Sequence, residues 1–508
     1  CQPVTSLSDL ESFSFQQRAG KETSALISFL AGFIEYEGGY FESARDRFND
    51  AIEKSPGLSI FDYQFEIYFY RGNTYANLGE HKYAIKDYDQ AIKINSNLPI
   101  AYNNRGNSYA FINEYQNAIW NYDQAIIINP QYIKAYSNRG NAYYELGKYD
   151  KAIEDFDKAI QINSLYAIAY NNRGVVFFSL KNTDGAIKDY SQAINIEPKF
   201  AEAYSNRGLV YTELGNNELA IHDFTQAIQI DPQSAIAHNN RGNSYAKLGK
   251  YDFAMEDYNR AIQINPQFSE VYFNRGELYF TQGNFELALE NYNQAIQINP
   301  QFAEAYNNRG IILGILGENE LALQDFNQAI SINPQLARAY FNRGTYYYLL
   351  NENEQALENF SQAIHIDPND ASSYHYRGNV YARLGEFQYA IKDYNQSIKL
   401  DPNDANAYLH RGISYGALTE YEYAIEDFSK AIYIEPQFID AYIHRGSAYA
   451  LLDNYERAID DFTQVIRIDP QYAEAYDLRG TAYQVLNRNV EAEADFSKYA
   501  ELTGESPP

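Results

Sequence analysis

The residues best equipped for chemistry in this chain stand in columns that recur every 34 positions. One column is asparagine eight times in succession: Asn104, Asn138, Asn172, Asn206, Asn240, Asn274, Asn308 and Asn342. A carboxamide offers donor and acceptor together, so it matches the C=O and N–H of one peptide unit whatever its side chain. Three positions further on, Asn73, Asn107, Asn141, Asn243 and Asn379 add the same group. Asparagine is a mediocre helix former, so propensity does not explain the run.

A second column is arginine followed by glycine, thirteen times from Arg71 to Arg479 without insertion or deletion. Sixteen residues after each arginine stands an aspartate or, at Asn121, Asn291 and Asn359, an asparagine. The planar guanidinium suits bidentate pairing, as between Arg241 and Asp257. A structural pair is favoured over a basic ladder for an anionic polymer, because an acceptor accompanies every arginine and the net charge is −27. On this reading Arg241→Leu is tolerated better than Asp257→Ala, which strands a partly buried cation.

Beyond Asn342 the asparagine column changes to Tyr376, His410, His444 and Leu478, with His375 alongside. Adjacent units are about 9–10 Å apart by helix packing, whereas a metal needs ring nitrogens at about 2 Å. His375, His410 and His444 are therefore expected to form a second partner region. No metal and no cofactor is expected.

Helical elements must position these columns. In the unit Ile133 to Tyr166, Tyr136, Gly140 and Tyr143 share one helical face, and Ala152, Phe156 and Ala159 repeat the spacing after Leu146-Gly147-Lys148. Two antiparallel helices joined by a glycine turn follow, and most units close on Asn-Pro, Asp-Pro or Glu-Pro, as at Asn129-Pro130. Glycine in a helix costs about 1 kcal/mol against alanine, so close helix approach is the expected compensation at Gly140 and its equivalents. With Arg241 and its counterparts flanking the buried face, the asparagine column falls opposite the core.

This pattern of aromatic, Gly, Tyr, Leu-Gly, Ala, aromatic, Ala and Pro resembles the tetratricopeptide repeat, in register over residues 65–506. The resemblance implies an all-α, right-handed superhelical solenoid of about fourteen 34-residue helix-turn-helix units. It divides the chain into an N-terminal tether (1–24), a degenerate first unit with a short insertion (25–64), thirteen in-register units (65–506) and a tail (507–508). It implies protein or peptide partners. The asparagine column resembles the ladder in the tetratricopeptide superhelix of O-linked N-acetylglucosamine transferase, where such residues grip a peptide backbone. The other reading is that these amides bond to adjacent units or to water and stiffen the stack.

Composition narrows the rest. The 45% apolar content and 50 tyrosines supply ample core, and the acidic balance argues against nucleic acid and anionic lipid. A single cysteine, Cys1, excludes an intrachain disulfide. The start Cys1-Gln2-Pro3 resembles a mature bacterial lipoprotein, which implies lipidation at Cys1 and a place in the cell envelope or outside the cell; otherwise the chain is expected in the cytoplasm. No phosphate loop, HExxH helix or nucleophile elbow occurs, so an enzyme is not expected. The expected function is an interaction scaffold holding an extended partner segment along the asparagine-lined face, as an assembly or secretion factor. The alternatives are a subunit stacking end to end into a filament, because open solenoid ends present apolar faces, and an adaptor recruiting a separate modifying enzyme.

Overall fold

The computed structural model describes residues 21–54 and 64–504. The expected lipidation site Cys1, nearly all of the expected tether, most of the insertion and the tail lie outside the described residues. The first helix begins at Lys21, inside the stretch assigned to the tether. Among the described residues there are 28 α-helices and no strand, in two compact units, Cys1–Asn265 and Pro266–Pro508. The first unit runs from α1 (Lys21–Glu37) to α14 (Tyr251–Ile264), and the second from α15 (Ser269–Thr281) to α28 (Asn489–Thr503). Within each, long first and second helices alternate as antiparallel pairs. Among the described residues no helix is long and apolar enough to cross a membrane.

The pair α7 (Ile133–Glu145) and α8 (Tyr149–Ile162) shows why the sequence folds this way. At the turn, Gly147 takes φ +68°, its N–H reaches Tyr144 O at 2.8 Å, and Lys148 N–H reaches Tyr143 O at 2.8 Å. These bonds satisfy carbonyls that the helix end leaves open. All thirteen in-register turns use positive φ at this position, with Asn113, Lys181, Asn351, Thr419, Asp453 and Asn487 replacing glycine in six. At the other end, Asn129 takes the extended conformation that a following proline favours, and its Oδ1 accepts from Gln131 N–H at 3.0 Å.

Packing explains the helical glycines. A Cβ built on Gly242 would lie 2.7 Å from the Tyr258 ring, and one on Gly412 would lie 2.6 Å from the Phe428 ring. The aromatic on the second helix thus occupies the space that a side chain on the first would need. Alanines complete the seam: Ala152 and Ala159 flank the fully buried Phe156.

Candidate functional site

Twelve arginines of the second column, Arg275 aside, join two helix pairs. Arg241 Nε and Nη2 donate to the two carboxylate oxygens of Asp257 at 2.8 and 2.7 Å, and Nη1 donates to Thr225 Oγ1 of the preceding pair at 3.1 Å. Arg207 repeats this with Asp223 and Ser191, and Arg309 with Asp325 and Asn293. The acceptor on the preceding pair, which sits two residues after the aspartate position of its own unit, went unnoticed in the sequence because it varies among Asp, Asn, Ser and Thr. Burial pushes the Asp257 carboxyl up, but hydrogen bonds from Arg241 and His238 outweigh it and hold the group below the ordinary aspartate range. His238 stands where the other twelve units carry tyrosine, and its Nδ1 lies 2.9 Å from Asp257 Oδ1. The Asp257 side chain is 4% exposed and that of Arg241 19%. The more buried partner is the anion, so the expected tolerance order of the two substitutions reverses: losing the arginine strands the deeper charge.

The asparagine column is half-buried at all eight positions. Its amides reach back to the preceding first helix by two routes. Across 31 residues, Asn104 Nδ2 donates to Asn73 Oδ1 at 3.0 Å, Asn138 to Asn107 at 3.0 Å, Asn172 to Asn141 at 3.0 Å, and Asn308 to Glu277 at 3.3 Å. Across 35 residues, Asn138 also donates to Asn103 at 3.0 Å, Asn206 to Asn171 at 3.0 Å, and Asn342 to Asn307 at 2.9 Å. Asn240 accepts from Asn239 at 3.4 Å. Asn274 shares the same half-buried placement.

Tyrosines on the second helices take up more of this capacity. Tyr88, Tyr122, Tyr258 and Tyr394 donate their hydroxyls to Asn73, Asn107, Asn243 and Asn379 at 2.8–2.9 Å. A carboxamide oxygen has two lone pairs, so Asn73 and Asn107, each accepting from a tyrosine and from the next asparagine, keep only N–H to offer. At Asn73 and Asn107 the carboxamide therefore no longer offers donor and acceptor together.

The histidines also differ from expectation. His375 on α21 (Ala371–Arg383) and His410 on α23 (Ala405–Ala417) meet with Nε2 2.9 Å from Nδ1. The spacing of about 9–10 Å between adjacent units holds for equivalent positions. The two histidines are 35 residues apart, on the same diagonal that joins Asn103 to Asn138, and side chains on that diagonal lean together. His375 Nδ1 lies 3.0 Å from Asp404 Oδ2, and Asp404 also caps α23 through Asn406 N–H at 2.9 Å. Burial, then the neighbouring His375, pushes His410 down to about 4. His444, on α25 (Ile439–Leu451), stacks on Phe428 with ring centroids 5.6 Å apart. Among the described residues no group of three or more His, Cys, Asp or Glu is placed to hold a metal ion.

Two cavities open on the asparagine face of the first unit. One, of about 540 Å³, is formed chiefly by α3 (Gln64–Asn77) and α5 (Pro99–Phe111), with Asn73, Asn104, Asn107 and Ser108 in its lining. The other, of about 430 Å³, is formed by α5 and α7, with Asn107, Asn138, Asn141 and Glu145. Asn107 and Phe111 line both.

Antiparallel helix pairs repeating at a fixed period, with glycine–aromatic seams and one polar side, define an α-helical repeat protein. Sequence profiles for the tetratricopeptide repeat match residues 133–164, 303–336, 405–438 and 439–472. The profile described as TPR repeat matches 72–110, 112–147, 176–215, 208–249, 242–283, 276–314, 344–385 and 378–419. The chain belongs to the tetratricopeptide repeat family. Among solved structures it is similar to the Cut9–Hcn1 hetero-tetramer of APC/C, with 13% identity, 94% of this chain and 99% of that one covered, and a TM-score of 0.49. It is also similar to YrrB, a TPR protein with an unusual peptide-binding site (26% identity, 37% and 97% covered, TM-score 0.30). MamA is similar at 28% identity, with 32% and 96% covered and a TM-score of 0.29. No curated protein matches the chain in sequence. At the level the family defines, the protein is a protein–protein interaction scaffold.

Proposed function

We propose that the array binds an extended segment of a partner protein along the asparagine-bearing side of its first helices, without catalysing a reaction. The observation that carries this reading is where the cavities fall. Both open on that side, and Asn104, Asn107, Asn138 and Asn141 line them. The amide stitches between units spend part of the hydrogen-bonding capacity, but they fix each carboxamide's rotamer, so less side-chain entropy is lost when a ligand arrives. Unspent hydrogen-bonding groups remain, such as the oxygen of Asn138, and these suit a peptide backbone. Solvent lies on one side of each half-buried amide, as an extended ligand requires.

The test is selection from a displayed random-peptide library, followed by affinity measurement with an Asn104/Asn138/Asn172→Ala triple variant. Loss of at least tenfold in affinity, with helix content retained, supports the reading. Equal affinity of the folded variant refutes it.

A further inference from the structure

The first cavity has a chemical bias. Asn73 Oδ1 accepts from Tyr88 and Asn104, and Asn107 Oδ1 accepts from Tyr122 and Asn138, so both oxygens are saturated. What these two carboxamides retain is N–H, part of which Asn73 already gives to the Tyr36 hydroxyl. Ser108, 1% exposed, lines the same cavity with its hydroxyl oxygen buried and unpartnered, and His81 Nδ1, also in the lining, is buried and unpartnered. Buried polar groups of this kind demand a partner. The two saturated carboxamides answer only an acceptor, whereas Ser108 Oγ and His81 Nδ1 can take either role, so the lining favours a ligand richer in acceptors than in donors.

The apolar lining points the same way. The Phe111 ring is 73% exposed, stacks on His81 at 4.5 Å with an interplanar angle of 10°, and forms a slab shared by both cavities. Tyr36 and Tyr88 line the first cavity, and Tyr115 and Tyr122 the second. The two cavities are one unit apart, about 8–10 Å by helix packing. A polyproline II helix repeats its face every three residues at about 3.1 Å each, or about 9.3 Å per turn. Proline supplies a carbonyl without an N–H and a ring that packs on aromatic faces. In the second cavity, Glu145 places a carboxylate in the lining, and the whole chain carries −27. That charge favours a basic residue at one end of the ligand.

We infer that the face formed by α3, α5 and α7 recognises a proline-rich segment of a partner protein in the polyproline II conformation, flanked by a basic residue. Prolines three residues apart enter the two cavities, either side of Phe111. Their carbonyls accept from Asn73, Asn107 and Ser108. The inference rests on the proposed peptide-binding face and adds the chemical class of its ligand.

The experiment uses the full chain and two fluorescent peptides of equal length and charge. One is four Ala-Pro-Pro repeats ending in two lysines; in the other every proline is serine. Fluorescence anisotropy is expected to show saturable binding of the first, at least tenfold weaker binding of the second, and at least tenfold loss for Phe111→Ala, whose exposed ring is not needed for folding. Equal binding of both peptides, with loss on the Asn104/Asn138/Asn172→Ala change, would overturn the proline preference and leave the peptide face standing. Failure of the proline peptide while library-selected peptides bind in an asparagine-dependent way would overturn it too. Failure of every peptide would overturn both.

Discussion

Asn138 Nδ2 lies 3.0 Å from both Asn107 Oδ1 and Asn103 Oδ1, so one side chain ties its first helix to the preceding one at two points. Arg139 makes a parallel connection, with Nε and Nη2 on Asp155 and Nη1 on Asp123 of the pair before. The two units that meet at Asn138 are therefore joined by a carboxamide stitch on one side of the first helix and a guanidinium clamp on another. The alanine–aromatic seam fills the space between them. A rigid, polar, partly spent surface is a consequence of that joinery.

Removing a clamp should separate its two partners energetically. Because Asp257 is the more buried group, Arg241→Leu is expected to cost about 3 kcal/mol, at the low end for a broken buried pair because His238 remains. Asp257→Ala leaves a guanidinium that can turn to water and keep Thr225, and should cost about 1–2 kcal/mol. Urea midpoints of the two variants decide the order; a less stable Asp257→Ala would refute it.

The helical glycines should resist even a methyl group. Gly242→Ala brings Cβ against the Tyr258 ring, and overpacking of this sort costs about 1–3 kcal/mol. Thermal unfolding of Gly242→Ala and of the double variant Gly242→Ala/Tyr258→Leu checks it. The smaller, flexible leucine should recover part of the loss.

Thr419 is a β-branched residue at φ +62°, a conformation that costs an L-residue about 1–2 kcal/mol. Thr419→Gly gives part of that back in unfolded-chain entropy, so a net gain of about 0.5–1 kcal/mol is expected. A lower urea midpoint for Thr419→Gly would contradict the turn assignment.

His410 should make stability depend on acidity. Its folded value is pushed down to about 4 from an ordinary 6.5, so between those pH values the unfolded chain binds more protons than the folded one. Unfolding free energy should then rise with pH from about 4 to 6.5 and level off above. His410→Gln should flatten that slope in a pH series of urea titrations; an unchanged slope would show that His410 does not carry it.

Much of this was legible in the sequence, and what was not has a common cause. Period, turn position, helix faces and the aspartate partner of each arginine all lie within one unit, where helical periodicity fixes which residues share a face. Arg241 and Asp257 were paired on that basis alone. Relationships between units were harder. The Asn103–Asn138 and His375–His410 diagonals depend on how side chains on successive first helices lean, so a column of equivalent positions put the histidines too far apart. Thr225, Ser191 and Asn293 escaped because a guanidinium accepts any oxygen, which leaves no single residue type to notice. The saturation of Asn73 and Asn107 depended on tyrosines from another helix.

The most direct test of the central claim is a crystal structure of the full chain with a library-selected peptide bound. The peptide is expected to run across α3, α5 and α7 with backbone oxygens within 3.5 Å of Asn104 or Asn107 Nδ2, an ordinary hydrogen-bond reach. A peptide seated on the outer surface of the second helices, with the asparagine face empty, would contradict the account.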